Sequence, residues 1–343
     1  MENSKENPVP ANGRPRYDFR NVHPGVSFGT ASDRYGGWIG QIYSKPWEDR
    51  VQKRRKQLGK KSYVETVVPT EAVSEYFEHF SVLELDFTFY RPLVEADGEP
   101  GINYRVLERY VQHSPASARF LVKVPQMFCS PTLPGRGLNS DFLNRSAYDA
   151  VFGHPLEDVL GERLLGVIFE QGYIPRRESP APEEHVAALD AFTSDATLTH
   201  PIHFEVRSNH LLTPLFFEWL NSTGHGYVFS HWTWLPSIKD QWTAAGGFSS
   251  ADGQAILRLL TPRKMTYAKA YDLAHPFDKV VQSLTQAPGS EAMIEETVAL
   301  AVKAIDAGKQ LNIIANNRAW GNAPELAVAA RDRLLEYLRK RDR

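Results

Sequence analysis

The chain has 343 residues, 39 basic against 41 acidic side chains, 42% hydrophobic residues, and 23 each of Gly and Pro. This excludes a disordered, fibrous or small disulfide-stapled protein and leaves one large domain or two ordinary ones. The single cysteine, Cys129, excludes an internal disulfide and a thiolate metal cage, and a net charge of −2 excludes a globally basic nucleic-acid binder.

Residues 1–24 are polar and carry Pro8, Pro10, Pro15 and Pro24 without an apolar period, so a flexible N-terminal arm is expected there. From Val26 onward short apolar runs alternate with helical patterns. Candidate strands are Val26 to Thr30, Val82 to Phe89, Arg119 to Val124, Leu164 to Phe169, Ile202 to Val206, Tyr227 to Ser230, Ala255 to Leu259 and Leu311 to Ala315. Between them, Val73, Tyr76, Phe77 and Phe80 fall on one helical stripe, as do Ile294, Val298, Ala301 and Ile305, and then Ala327, Ala330, Leu334 and Leu338. Strand then helix, repeated over the chain, predicts an α/β fold, a single-domain (β/α)8 TIM barrel over residues 25–343. A doubly wound open sheet is the alternative, but a Gly-rich fingerprint after the first strand is missing. No apolar run approaches the roughly 18 residues of a membrane span, and no secretory core opens the chain, so a cytoplasmic protein with no membrane partner is expected.

Strand phase carries a second signal. Leu83, Leu85 and Phe87 share one face of their strand, whereas Val82, Glu84, Asp86 and Thr88 share the other. Ile202, Phe204 and Val206 likewise oppose His203, Glu205 and Arg207. The polar faces should point into the barrel, where an isolated charge costs several kcal/mol and must pair or bind something. Together with Lys123, Gln171, Arg258, Asn316 and Asn317, these residues lie in or just after strands, the positions from which barrel active sites are built. Glu84, Asp86 and Glu205 are the expected acid–base carboxylates, and Lys123, Arg207 and Arg258 an anion clamp. An ion-pair network that fixes strand register is the alternative reading.

Aromatic residues crowd the same rim, Tyr35, Trp38 and Tyr90 among them, and could stack on a ligand or plug the mouth as core. The segment 45–61 holds eight cations against Glu48 and Asp49 and lies in the first strand-to-helix connection. This basic insertion, taken as 45–68, suits a nucleic acid or is a solvated face. No histidine spacing marks a metal site, and nothing in the sequence names a cofactor.

The stretch Gly29 to Tyr43 resembles the opening motif of the YecE-like family, domain of unknown function 72. The resemblance continues at Leu83-Glu84-Leu85-Asp86-Phe87-Thr88-Phe89-Tyr90, at Phe120 to Pro125, at Phe204 to Arg207, and at Asn316-Asn317 with Gly321-Asn322-Ala323. It spans the whole barrel and implies a TIM-barrel fold, while the family's activity is not established. The chain departs from the pattern where Ser32-Asp33 replace a Gly-Trp pair and where Leu260-Thr261 replace a His-Gly pair. The residues and the resemblance together lead to an enzyme acting on an anionic or phosphorylated small molecule at the barrel mouth. A nucleic-acid binding or processing barrel is the alternative.

Overall fold

The computed structural model describes residues 15–343 apart from 96, 134, 136, 195–199 and 342. In chain order the strands are β1 Val26–Ala31, β2 Gln52–Leu58, β3 Lys61–Val67, β4 Val82–Leu85, β5 Arg119–Lys123, β6 Thr132–Leu133, β7 Gly137–Leu138, β8 Leu164–Gln171, β9 Ile202–Val206, β10 Gly226–His231, β11 Gln254–Leu259 and β12 Gln310–Ala315. Eight of them form a closed parallel barrel in the order β1-β12-β11-β10-β9-β8-β5-β4, with β4 pairing back onto β1. First and last strands are neighbours, Val26 opposite Leu311 and Thr30 opposite Ala315. Closure leaves the barrel sheet without an edge, and helices cover its outside. Among the described residues no helix is long and apolar enough to cross a membrane.

Period-two alternation divides the strands as their sequence demands. Leu83, Leu85, Phe120, Val122, Phe169, Phe204 and Val206 face the helices and join the main core. Each such side chain contributes about 1.5–3 kcal/mol by leaving water. The opposite faces build a small plug inside the barrel from Ala31, Val82, Leu121, Ile168, Val228, Ile256 and Ile314. Two residues further along those strands the same faces carry Glu84, Lys123, Glu170, Ser230, Arg258 and Asn316, so the charged layer stands directly above the apolar one. Where β1 crosses β4, Gly29 is required, because a Cβ there would lie 2.1 Å from the Val82 carbonyl oxygen.

Two expectations need correction. The second barrel strand ends at Leu85 rather than Phe89: Asp86 turns into the helical region and 87–90 forms a 3-10 turn, so Asp86 and Thr88 are not on a strand face. Over its described part, 15–24, the N-terminal segment is docked. Phe19 is fully buried and stacks on Phe80 at 4.5 Å, while Arg331 donates to the carbonyls of Arg16 and Asp18 at 2.8 and 3.0 Å. A few aromatic anchors offset the ordering entropy that the segment's overall polarity argued against. Residues 1–14 lie outside the described residues.

The basic segment 45–68 opens with a 3-10 turn, Lys45–Arg50, and then folds as an antiparallel hairpin of β2 and β3. Its two-residue turn places Gly59 at φ 60°, a backbone region that glycine enters without penalty.

Candidate functional site

Six charged side chains meet inside the barrel, drawn from β4, β5, β8, β9 and β11 and the end of β9. Arg258 donates to both oxygens of Glu84, from Nε at 2.8 Å and Nη2 at 2.6 Å, and to Glu170 at 2.9 Å, and it also contacts Glu205. Arg207 reaches Glu170 at 2.8 Å and Glu205 at 3.2 Å, and Lys123 reaches Glu170 at 2.8 Å. Ser230 donates to Glu205. Three cations thus face three carboxylates, all buried or nearly so, and the charges cancel.

The electrostatics follow from these contacts. Burial opposes the Arg258 charge, but Glu205, Glu84 and Glu170 outweigh it and hold its pKa well above the usual value. Burial likewise opposes ionisation of Glu170, yet Arg207, Lys123 and Arg258 carry its pKa well below the ordinary carboxylate range. For Glu84 burial wins over Arg258, and its pKa is raised. Aromatic faces close the network from above, with the Lys123 amine 3.9 Å from the Phe89 ring centre and the Arg207 guanidinium 4.0 Å from that of Trp232.

Beside this network the mouth opens into a cleft of about 1100 Å³. Its walls come from the first connection (Ser32, Arg34, Tyr35), the turn after β4 (Asp86, Tyr90, Arg91), the hairpin (Arg54, Lys56, Glu65), the helix 267–274 (Tyr267, Tyr271) and the loop after β12 (Asn316, Arg318). Here the charges do not cancel pairwise. Among the described residues the Asp86 carboxylate has neither a hydrogen bond nor an ion pair, and the Arg91 and Arg318 guanidinium groups meet no carboxylate. Arg318 lies 4.5 Å above the Tyr267 ring, and its Nε is buried without a partner. Tyr35 packs on Trp38 and Phe277; burial, then the Asp86 carboxylate, raise its pKa so that the phenol stays protonated.

The sequence-selected residues therefore separate into groups. Glu84, Glu205, Lys123, Arg207 and Arg258 share the interior network. Asp86, Tyr35, Tyr90, Asn316 and Asn317 line the cleft, Tyr90 with 76% of its surface exposed. Trp38, Thr88 and Gln171 serve other ends, and Asn317 is both cleft wall and brace. Trp38 is core and donates to Asn317 Oδ1 at 3.2 Å, which also accepts from the Ala323 amide at 2.7 Å, so both residues brace the loop after β12. The Thr88 hydroxyl donates to the Lys123 carbonyl at 2.6 Å. Gln171 follows Glu170 and so faces outward, meeting His185 at 2.9 Å on the helix 182–193. Sequence reasoning passed over Glu170, the centre of the network, although its phase continues from Ile168, and over Arg318, Tyr267 and Tyr271. Among the described residues no cluster of three or more His, Cys, Asp or Glu could hold a metal ion.

A closed (β/α)8 barrel with a charged interior and an aromatic, arginine-bearing mouth defines the class. The model of the family described as protein of unknown function DUF72 matches residues 47–342, and the chain belongs to that family. Its fold is similar to a DUF72 family protein from Thermotoga maritima, with 15% identity, a TM-score of 0.52, and coverage of 91% of this chain and 99% of that one. A DUF72 family protein from Enterococcus faecalis is similar at 16% identity and TM-score 0.54, covering 91% and 98%. At these identities the likeness concerns the fold. No curated protein matches the sequence.

Proposed function

We propose that the protein is an enzyme acting on an anionic, phosphate-bearing small molecule held in the mouth cleft. The observation that carries this reading is the contrast between two layers. Inside the barrel the three cations each meet a carboxylate and the formal charges cancel, although Arg207 Nε and Nη1 have no hydrogen-bond partner, whereas in the cleft above, Asp86 and Arg318 meet no opposite charge, over an aromatic wall. A guanidinium stacked on a ring offers its donors to an oxyanion, and a free carboxylate beside a protonated phenol can take and return a proton. Asp86 is the acid–base group; Glu84 and Glu205, committed to Arg258, shape the floor beneath it. Arg318 binds the anion, assisted by Arg34 and Arg91.

A thermal-shift panel tests the reading. Ribose 5-phosphate should stabilise the protein and ribose should not, and Arg318→Ala should remove the difference. Equal shifts from the sugar and its phosphate would overturn it. A second reading, in which the anion belongs to a nucleic acid, is favoured by the basic hairpin that forms one wall of the cleft.

A further inference from the structure

We infer that the ligand of the mouth cleft is an aryl phosphate, a phosphate ester whose organic part is a flat apolar ring; this rests on the mouth being an anion site and names what the rest of the cleft holds. One wall of the cleft is apolar. Phe87 and Tyr90 of the turn after β4 line it together with Ile102 and Val106 of the helix Ile102–His113. Ile102 and Val106 stand at i and i+4 and share a helix face. Asn103 donates to the Arg91 carbonyl at 2.9 Å, which ties the start of that helix to the turn. Phe87 and Val106 rest one side on the main core. Ile102 and Tyr90 do not: they are 62 and 76% exposed, inside a recess rather than on a convex surface. Apolar residues exposed singly are ordinary, but two on one wall of a cleft mark a binding surface.

The apolar wall meets the charged groups of the same cleft. Asp86 opens the turn that carries Phe87 and Tyr90, and the Tyr90 phenol lies within electrostatic reach of both Asp86 and Arg318. A phosphate on Arg318 therefore leaves the rest of its ester beside Tyr90 and Ile102. A sugar there would press its hydroxyls against apolar side chains and lose hydration without gaining partners. The cleft, at about 1100 Å³, is also larger than a phosphate or a pentose phosphate fills, since sites of roughly 300–1,000 Å³ hold drug-sized molecules. Flatness follows from the groups that line it. Arg318 lies 4.5 Å above the Tyr267 ring, and Tyr267 is near parallel to Tyr271, at 22° and 6.2 Å. Between such planar groups and the open Tyr90 ring, a flat ring makes stacked contact that a flexible chain does not.

Calorimetry with naphthyl phosphate, hexyl phosphate and ribose 5-phosphate tests the inference. The variants are Ile102→Ser and Tyr90→Ala, both at exposed positions and with unchanged melting temperatures as the folding control, and Arg318→Ala. Naphthyl phosphate should bind at least about tenfold tighter than ribose 5-phosphate, and tighter than hexyl phosphate. Ile102→Ser should weaken naphthyl phosphate by about threefold or more while ribose 5-phosphate binds as before. Tyr90→Ala should remove the preference for the ring over the chain. Ribose 5-phosphate binding with no gain for naphthyl phosphate, or with no effect of Ile102→Ser on that gain, would overturn this inference and leave the anion site standing. Hexyl phosphate bound as tightly as naphthyl phosphate would also overturn it. Arg318→Ala should weaken all three ligands; naphthyl phosphate bound equally well by that variant, or binding of none of the three to the wild type, would remove both readings.

Discussion

Glu84 takes both of its guanidinium hydrogen bonds from one residue, Arg258, across the barrel from β4 to β11. That bidentate pair is buried and is tied through Arg258 to Glu170 and Glu205. Removing the arginine leaves carboxylates facing each other without solvent. Arg258→Met should therefore cost about 3–5 kcal/mol of unfolding free energy, read from urea denaturation. An unchanged midpoint and slope would show that the network does not hold the barrel.

Asp33 supplies a pH test. It is fully buried at the end of β1, accepts from the Tyr110 hydroxyl at 2.7 Å, and has no partner at Oδ2. Burial pushes its pKa up to about 6, against Tyr110 and Arg34, which lower it. Between about pH 4 and pH 6 the folded state keeps a proton that the unfolded chain has lost, so this group's contribution to stability falls as pH rises. Buried histidines such as His185 and His231, both near 4, act in the opposite sense. Comparison with Asp33→Asn isolates the aspartate: the variant's stability relative to wild type should rise by about 2 kcal/mol from pH 4 to pH 7. A pH-independent difference would contradict the assignment.

At the level of the apolar plug, His203 is slotted between two glycines. A Cβ on Gly226 would come within 1.9 Å of its Nδ1, and one on Gly166 within 3.1 Å of the ring. Gly226→Ala should destabilise by at least about 1–3 kcal/mol through overpacking. Adding His203→Ala should recover part of that loss, and strict additivity of the two substitutions would refute the steric account.

Docking of the segment 15–24 is tested at Phe19. Phe19→Ala should cost about 3–5 kcal/mol, as for other fully buried aromatic residues. A loss near zero, with wild-type proteolytic protection of this segment, would mean that the stack on Phe80 contributes nothing.

Fold and interior charge were legible because barrel strands alternate strictly: Leu83, Glu84 and Leu85 announce their faces. Asp86 and Thr88 misled because a 3-10 turn begins where the apolar pattern still runs on through Phe89. Glu170 was hidden because β8 extends past Phe169, the last apolar residue of its run, to Gln171. The charge of segment 45–68 was readable but its pairing was not, since both faces of β2 are polar and provide no register signal. Phe19 depends on contacts with Phe80, and its neighbours on Arg331 some 313 residues away in sequence, which no local pattern encodes.

The central claim is that interior cations are neutralised in place and that anions bind in the cleft above them. Crystals soaked in tungstate, whose anomalous scattering marks a tetrahedral oxyanion, test it most directly. The account predicts a peak beside Arg318 over the Tyr267 ring, lost in Arg318→Ala. A peak inside the barrel at Arg207 or Arg258, with none at Arg318, would contradict it.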